Sequence, residues 1–144
     1  MSGERWRRPE SVLVVVYTRA REVLLLKRWE PRGFWQSVTG ALEWGETAAR
    51  AAARELREET GLEPAGLIDA DVECRFPILP EWRSRYAPDV AENIEHLWYL
   101  ELADRVTVTI DPAEHAGHEW LPLEAAIERV ASWTNRAALE GLRP

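Results

Sequence analysis

The segment from Thr47 to Thr60 constrains this chain more than any other. It is rich in Ala, Glu, Arg and Leu, opens on a hydroxyl residue that suits an N-cap and runs into Gly61. The sequence therefore predicts one helix, stopped by that glycine. Successive helical residues turn by about 100°. With Glu55 set at 0°, Glu58 falls at about 300° and Glu59 at about 40°, so the three carboxylates share an arc of roughly 100°. Ala49, Ala52, Ala53 and Leu56 centre about 110° away and form the face expected to pack. On this wheel Glu59 belongs to the acidic stripe and not to the packing stripe. Like charges at these spacings repel unless a cation sits among them. Hard divalent ions, Mg²⁺ first and Mn²⁺ as its alternative, are natural partners of clustered carboxylates. The plain alternative is a solvated acidic face.

The rest of the chain limits what such a helix can serve. Its 144 residues suit one domain spanning 1–144. Lys and Arg number 18 against 25 Asp and Glu, 18 − 25 = −7, which disfavours a protein that holds nucleic acid by bulk phosphate attraction. A small triphosphate remains an accessible partner if metal ions face it. Cys74 is the single cysteine, so neither a disulfide nor a cysteine metal framework is available. That usage is consistent with a reducing cytoplasm. The longest apolar run, Val12 to Tyr17, is far short of the ~20 residues of a membrane span. It reads as a buried strand.

Around the helix, residues 1–10 read as an irregular arm. Strands are expected at Ser11–Thr18 and Glu22–Arg28, joined by a short hairpin connection, and at Gln36–Val38, ending at Gly40. Further strand-like stretches are Ala65–Phe76, His96–Leu102, Arg105–Ile110 and Glu119–Leu121, with a proline-rich loop after the first. Helical patterns close the chain at about Leu123–Val130 and Asn135–Leu142, with Asn135 expected as a cap. Strands, a helix, strands and helices in that order suggest an α/β fold, a mixed sheet sandwiched by helices.

The helix is part of a longer pattern. Gly40 is followed after five residues by Glu46, and after seven more by Arg54-Glu55-Leu56-Arg57-Glu58-Glu59-Thr60-Gly61-Leu62. Every position fits G-x5-E-x7-R-E-U-x-E-E-x-G-U, with U aliphatic, and average residue usage puts a chance match below ~10⁻⁶. This stretch, residues 40–62, resembles the Nudix box. The resemblance implies a Nudix α/β/α sandwich and a Mg²⁺-dependent hydrolase that cleaves a nucleoside diphosphate linked to another group. It implies Glu55 and Glu59 as metal ligands, Glu58 as a further ligand or the base that activates water, and the Gly40 carbonyl completing the metal sphere. Glu46 and Arg54 resemble the pair that braces the box.

Stretches outside the box, 34–40, 85–88 and 132–136 with the Arg8-Pro9 start, are similar to a bacterial branch of the family that releases pyrophosphate from a pterin triphosphate. That likeness puts Arg28, Thr39 and Ser132 at substrate contacts and Glu114 where a late acid serves as metal ligand or base. Arg7 stands where the branch carries a lysine, which keeps the charge but changes its shape. The rival readings are hydrolysis of a (deoxy)nucleoside triphosphate or dinucleoside polyphosphate, and a non-catalytic nucleotide sensor. Nothing in the sequence sets an oligomeric state.

Other residues carry weaker expectations. Trp35 is offered for stacking on a flat heterocycle, with ordinary packing as the simpler role. His96, His115 and His118 are spaced badly for zinc and read as plain polar residues. No P-loop and no G-x-S-x-G elbow is present, so the glutamate helix is the chain's one strong device for handling phosphate.

Overall fold

The protein is described from a computed structural model over residues 5–144, and the first four residues of the expected arm lie outside that range. Strand β1 (Glu10–Thr18) is the centre of a mixed seven-stranded sheet. Its run of β-branched residues is buried on both faces, as a strand between two helical layers requires. Val12, Val14 and Val16 point to one core, and Leu13 and Val15 to the other. Along its whole length β1 pairs in parallel with β6 (Glu92–Leu102), which pairs antiparallel with β5 (Ile68–Pro77).

On its other edge β1 changes partner. Near its C-terminal end it meets β2 (Glu22–Arg28) at Tyr17↔Val23, and nearer its start it pairs with β4 (Val38–Ala41). The expected hairpin is therefore closed only at its base, and β1 and β2 splay apart beyond it. β2 goes on to pair with β3 (Trp35–Gln36) and β7 (His115–Pro122). The single strand expected around Gln36–Val38 is thus two short ones, broken at Ser37 and serving different partners.

Helix α1 (Ala48–Thr60) covers the first core, with Thr47 as N-cap accepting from the Arg50 amide and Gly61 left-handed at φ 75°. Helices α2 (Leu123–Arg129) and α3 (Trp133–Glu140) cover the second. This is the α/β/α layering expected from the sequence. No helix among the described residues is long and apolar enough to cross a membrane.

Three local expectations need correction. Residues Arg105–Ile110 form no strand. Val108 and Ile110 pack onto the first core and the Thr109 amide donates to the Thr60 carbonyl, so alternate burial is met by a segment laid across the helix end. Asn135 does not cap α3. Ser132 does, and the buried Asn135 amide instead grips Ser37, accepting from its N–H at 2.8 Å and donating to its Oγ at 3.0 Å. That grip holds the break between β3 and β4 from the opposite face. Finally, α1 buries Ala51, Ala52, Glu55, Leu56, Glu59 and Thr60, while Ala49 is exposed. The buried arc is rotated onto two of the three acids.

Candidate active site

The splay between β1 and β2 opens into a cleft of about 990 Å³, a size ordinary for a small-molecule site. Glu55 and Glu59, one helical turn apart on α1, reach it from one layer. Glu59 is 1% exposed, and neither of its carboxylate oxygens has a hydrogen-bond partner. Burial, reinforced by the neighbouring Glu55 and Glu114, pushes its carboxyl well above the usual carboxylate range. A buried acid left bare in this way is costly unless a cation completes it.

Gly40 makes room for the other acid. A β-carbon built there falls inside contact distance of the Glu55 carboxyl carbon and 2.6 Å from Oε2. The Glu55 carboxylate therefore lies against bare backbone at Gly40. Glu114, at the end of the loop before β7, and His115, its first residue, bring ligand atoms within 4.8 Å of one another and of Glu59. This oxygen-rich set with one imidazole fits a divalent ion. Nudix hydrolases generally use such ions.

A bulge explains how β7 contributes. Opposite β2 the register steps from Lys27↔Gly117 to Arg28↔His115, leaving Ala116 unpaired. Such a step re-aims side chains, and Arg28 and His115 both line the cleft. His115, 2% exposed, is not a plain surface residue: its Nε2 lies 3.6 Å from Glu59 Oε1. Burial, with Arg28 adding to it, holds its pKa below the ordinary histidine range. Arg28 stands 5.8 Å over the rings of both Phe34 and Trp82, and its Nε donates to the Glu30 carbonyl. With Arg7 and Arg85 on the same cleft it gives the acidic centre a basic flank.

Arg54 ties the loop before α1 to the helix. It donates to both Glu46 oxygens at 2.8 Å, to Glu55 Oε1 at 2.7 Å and to the Ala41 carbonyl at 3.1 Å. The guanidinium holds the Glu46 carboxyl below the usual range, against the opposing effect of burial. Replacing Arg54 with Met strands two largely buried carboxylates, so unfolding in urea should show a loss of about 1–3 kcal/mol. Arg54→Lys should recover less than half of it, because an ammonium cannot make the forked contact.

The other expected residues fall in different places. Thr39 and Ser132 line the cleft, although the Thr39 hydroxyl donates to the Val12 carbonyl and Ser132 is the α3 cap. Glu58 is exposed and points at Arg54, 3.4 Å away, and both it and Glu55 lie outside the cluster of Glu59, Glu114 and His115. Trp35 is moved out of the site: it packs on the second core between Lys27 and Arg129. Phe34 and Trp82 are the aromatic residues beside Arg28. Sequence reasoning passed over Gln36, Asn93 and Glu95, buried polar residues on strand faces that look into the cleft. The last two precede the strand expected at His96–Leu102, whereas β6 begins at Glu92.

Comparison with known proteins supplies the family. The sequence matches the NUDIX domain family over residues 7–140. It is 40% identical over 145 residues to the dihydroneopterin triphosphate diphosphatase of Escherichia coli K12, covering 97% of this chain and 95% of that one. The Haemophilus influenzae protein of the same name is 35% identical over 141 residues, with coverage of 94% and 88%. Among solved structures, the E. coli dihydroneopterin triphosphate pyrophosphohydrolase superposes with a TM-score of 0.88 at 39% identity, over 95% of this chain and 96% of that one. The chain belongs to the Nudix family and is a Nudix hydrolase.

Proposed function

We propose that this Nudix hydrolase converts 7,8-dihydroneopterin triphosphate and water into the monophosphate and pyrophosphate, with Mg²⁺ as its metal and a place in folate synthesis. The observation that carries the reading is the near full-length likeness to the E. coli enzyme, joined to a cleft with an acidic centre and an arginine flank.

The bare oxygens of Glu59 and the Glu55 carboxylate seated on Gly40 are the groups that would hold Mg²⁺, with Glu114 beside Glu59 and the Gly40 carbonyl as the further ligand the family resemblance implies. Such an ion offsets charge on phosphate oxygens and acidifies water. Arg28, Arg7 and Arg85 take the outer phosphate oxygens, for which a guanidinium is well shaped. The attacking water oxygen forms one P–O bond as the bond between the α- and β-phosphates breaks, and pyrophosphate leaves with the electron pair. Glu114, exposed next to the buried acids, is better placed than Glu58 to take the water's proton, because Glu58 points at Arg54. Thr39 and Ser132 serve as cleft walls, each with its hydroxyl committed to the backbone or a cap.

Pyrophosphate release in Mg²⁺ should be measured for dihydroneopterin triphosphate, the dNTPs and diadenosine polyphosphates. The expected result is a kcat/KM for the pterin at least about tenfold above the others, the factor that about 1.4 kcal/mol of differential binding supplies. A preference for a nucleotide or dinucleotide overturns the assigned substrate and leaves the hydrolase.

A further inference from the structure

The cleft has a second pole that phosphate chemistry does not use. It lies where β1 and β6 run in parallel, with Ser11 paired to Glu95 in register and the first turn of α3 above them. Along β6, Asn93 and Glu95 share a face with Leu97 and Tyr99, which pack on the second core. Positions 93 and 95 therefore continue a core line, yet they carry polar side chains exposed by only 6% and 8%. The cleft opens at that point, so a ligand rather than a core residue would complete the packing.

Glu95 is unusual among the acids of the chain. It is more than nine-tenths buried and has no basic partner among the described residues. Burial raises its carboxyl above the usual range, with the Thr134 hydroxyl opposing the shift. A carboxylate at this pole repels a phosphate, which places the triphosphate at the arginine flank. Because an ionised carboxylate only accepts hydrogen bonds, its best ligand is a pair of N–H donors side by side. Asn93 Nδ2 donates to Ser11 Oγ at 2.8 Å and fixes the floor next to it. Trp133, 61% exposed on the same cleft, offers a ring face to a flat ligand.

We propose that Glu95 determines specificity by accepting the adjacent amino and ring N–H donors of a 2-amino-4-oxopyrimidine edge. A pterin and guanine share that edge. Adenine sets a ring acceptor beside its amino group and so meets the carboxylate with a lone pair. The inference deepens the proposed pterin reading and rests on it for the substrate, but the edge it names is wider than one compound.

The test measures kcat/KM of the Mg²⁺ enzyme for dihydroneopterin triphosphate, GTP and ATP in the wild type, Glu95→Gln and Glu95→Asp. Where turnover is too slow, Ki against the pterin reaction replaces it. Wild type should favour both 2-amino-4-oxo substrates over ATP. Glu95→Gln should lose roughly 10- to 100-fold for those two, mainly in KM, because the amide turns one acceptor into a donor. ATP should change by less than about threefold, and Glu95→Asp should keep the order of preference. If Gln lowers all three alike, or leaves the pterin KM unchanged, the role of Glu95 is overturned while pterin turnover still stands. If GTP is used in a Glu95-dependent way and the pterin is not, the substrate assignment falls and the role of Glu95 survives. Should the Gln variant fail to fold, Glu95→Ala takes its place: loss of the preference for the two 2-amino-4-oxo substrates with ATP handling unchanged supports the role of Glu95, and an unchanged preference overturns it.

Discussion

Glu59→Gln should lower kcat by about 10³-fold, as expected for losing a charge that holds a catalytic ion, and should raise the Tm of the metal-free protein. The two effects have one cause. In the wild type both Glu59 oxygens are buried without partners, so ionising the side chain in the absence of metal costs stability. A glutamine is neutral at every working pH and nearly the same shape. The gain in metal-free Tm should be about 3–10 °C. It should also depend on pH in a definite direction. The unfolded chain ionises this group at about 4.5, whereas the folded protein holds the proton to higher pH. The folded state then binds more protons, and wild-type stability falls as pH rises from the unfolded value. Below that value both states are protonated and the variant gains little. Thermal scans in EDTA at pH 5 and pH 8 should therefore show the larger gain at pH 8. Adding Mg²⁺ at pH 8 should raise the wild-type Tm and move the variant much less. Near-normal turnover, or a variant less stable than wild type in EDTA, contradicts the assignment.

This result turns on a detail that the sequence read the wrong way round. The caps at Thr47 and Gly61 made the helix legible, since each is a local interaction with a local signal. Alanine decided the packing face on the wheel, and alanine is small enough to sit at either margin. Ala49 is exposed, whereas Glu55 and Glu59 are in the buried arc. Long-range packing against β4 and the segment around Thr109 fixes the helix rotation, and a single helix holds no record of that. The acids themselves were legible from spacing, and the Glu46–Arg54 brace from the resemblance to the Nudix box. Their division of labour was not: Glu58 differs from Glu59 only in which way the helix faces.

The second pole of the cleft escaped notice for a related reason. Glu95 lies one residue before the stretch His96–Leu102 in which the sequence predicts a strand, whereas the strand begins at Glu92. Recognising it needed the partner strand that brings Ser11 opposite and the helix that brings Thr134 above. Arg105–Ile110 failed the other way, since β-branched alternation records one-sided burial whether or not a ladder partner exists. Trp35 and His115 changed places: the aromatic went to the core and the imidazole to the site. The bulge at Ala116 that turns His115 inward has no residue signature beyond Gly117.

Gly40→Ala isolates the geometry of the acidic centre from its charge. The backbone at Gly40 is not left-handed, so alanine meets no conformational penalty there. Its strand is fixed by the pairing Val12↔Gly40, so the added methyl cannot swing away with the chain. The Glu55 carboxylate must move instead, because the methyl would occupy its place. Displacing an oxygen proposed to bind the metal by about 1 Å or more should cost about 100-fold in kcat. Stability should change little, since a flexible side chain near a cleft yields more readily than packed backbone. The decisive measurement is the double-mutant cycle with Glu55→Ala. If the methyl acts by displacing that carboxylate, it does no further harm once the carboxylate is gone, and the double variant should match Glu55→Ala within about threefold. Multiplicative losses would mean that Gly40 acts on its own, through its carbonyl or through substrate contact, and that the two residues do not form one device.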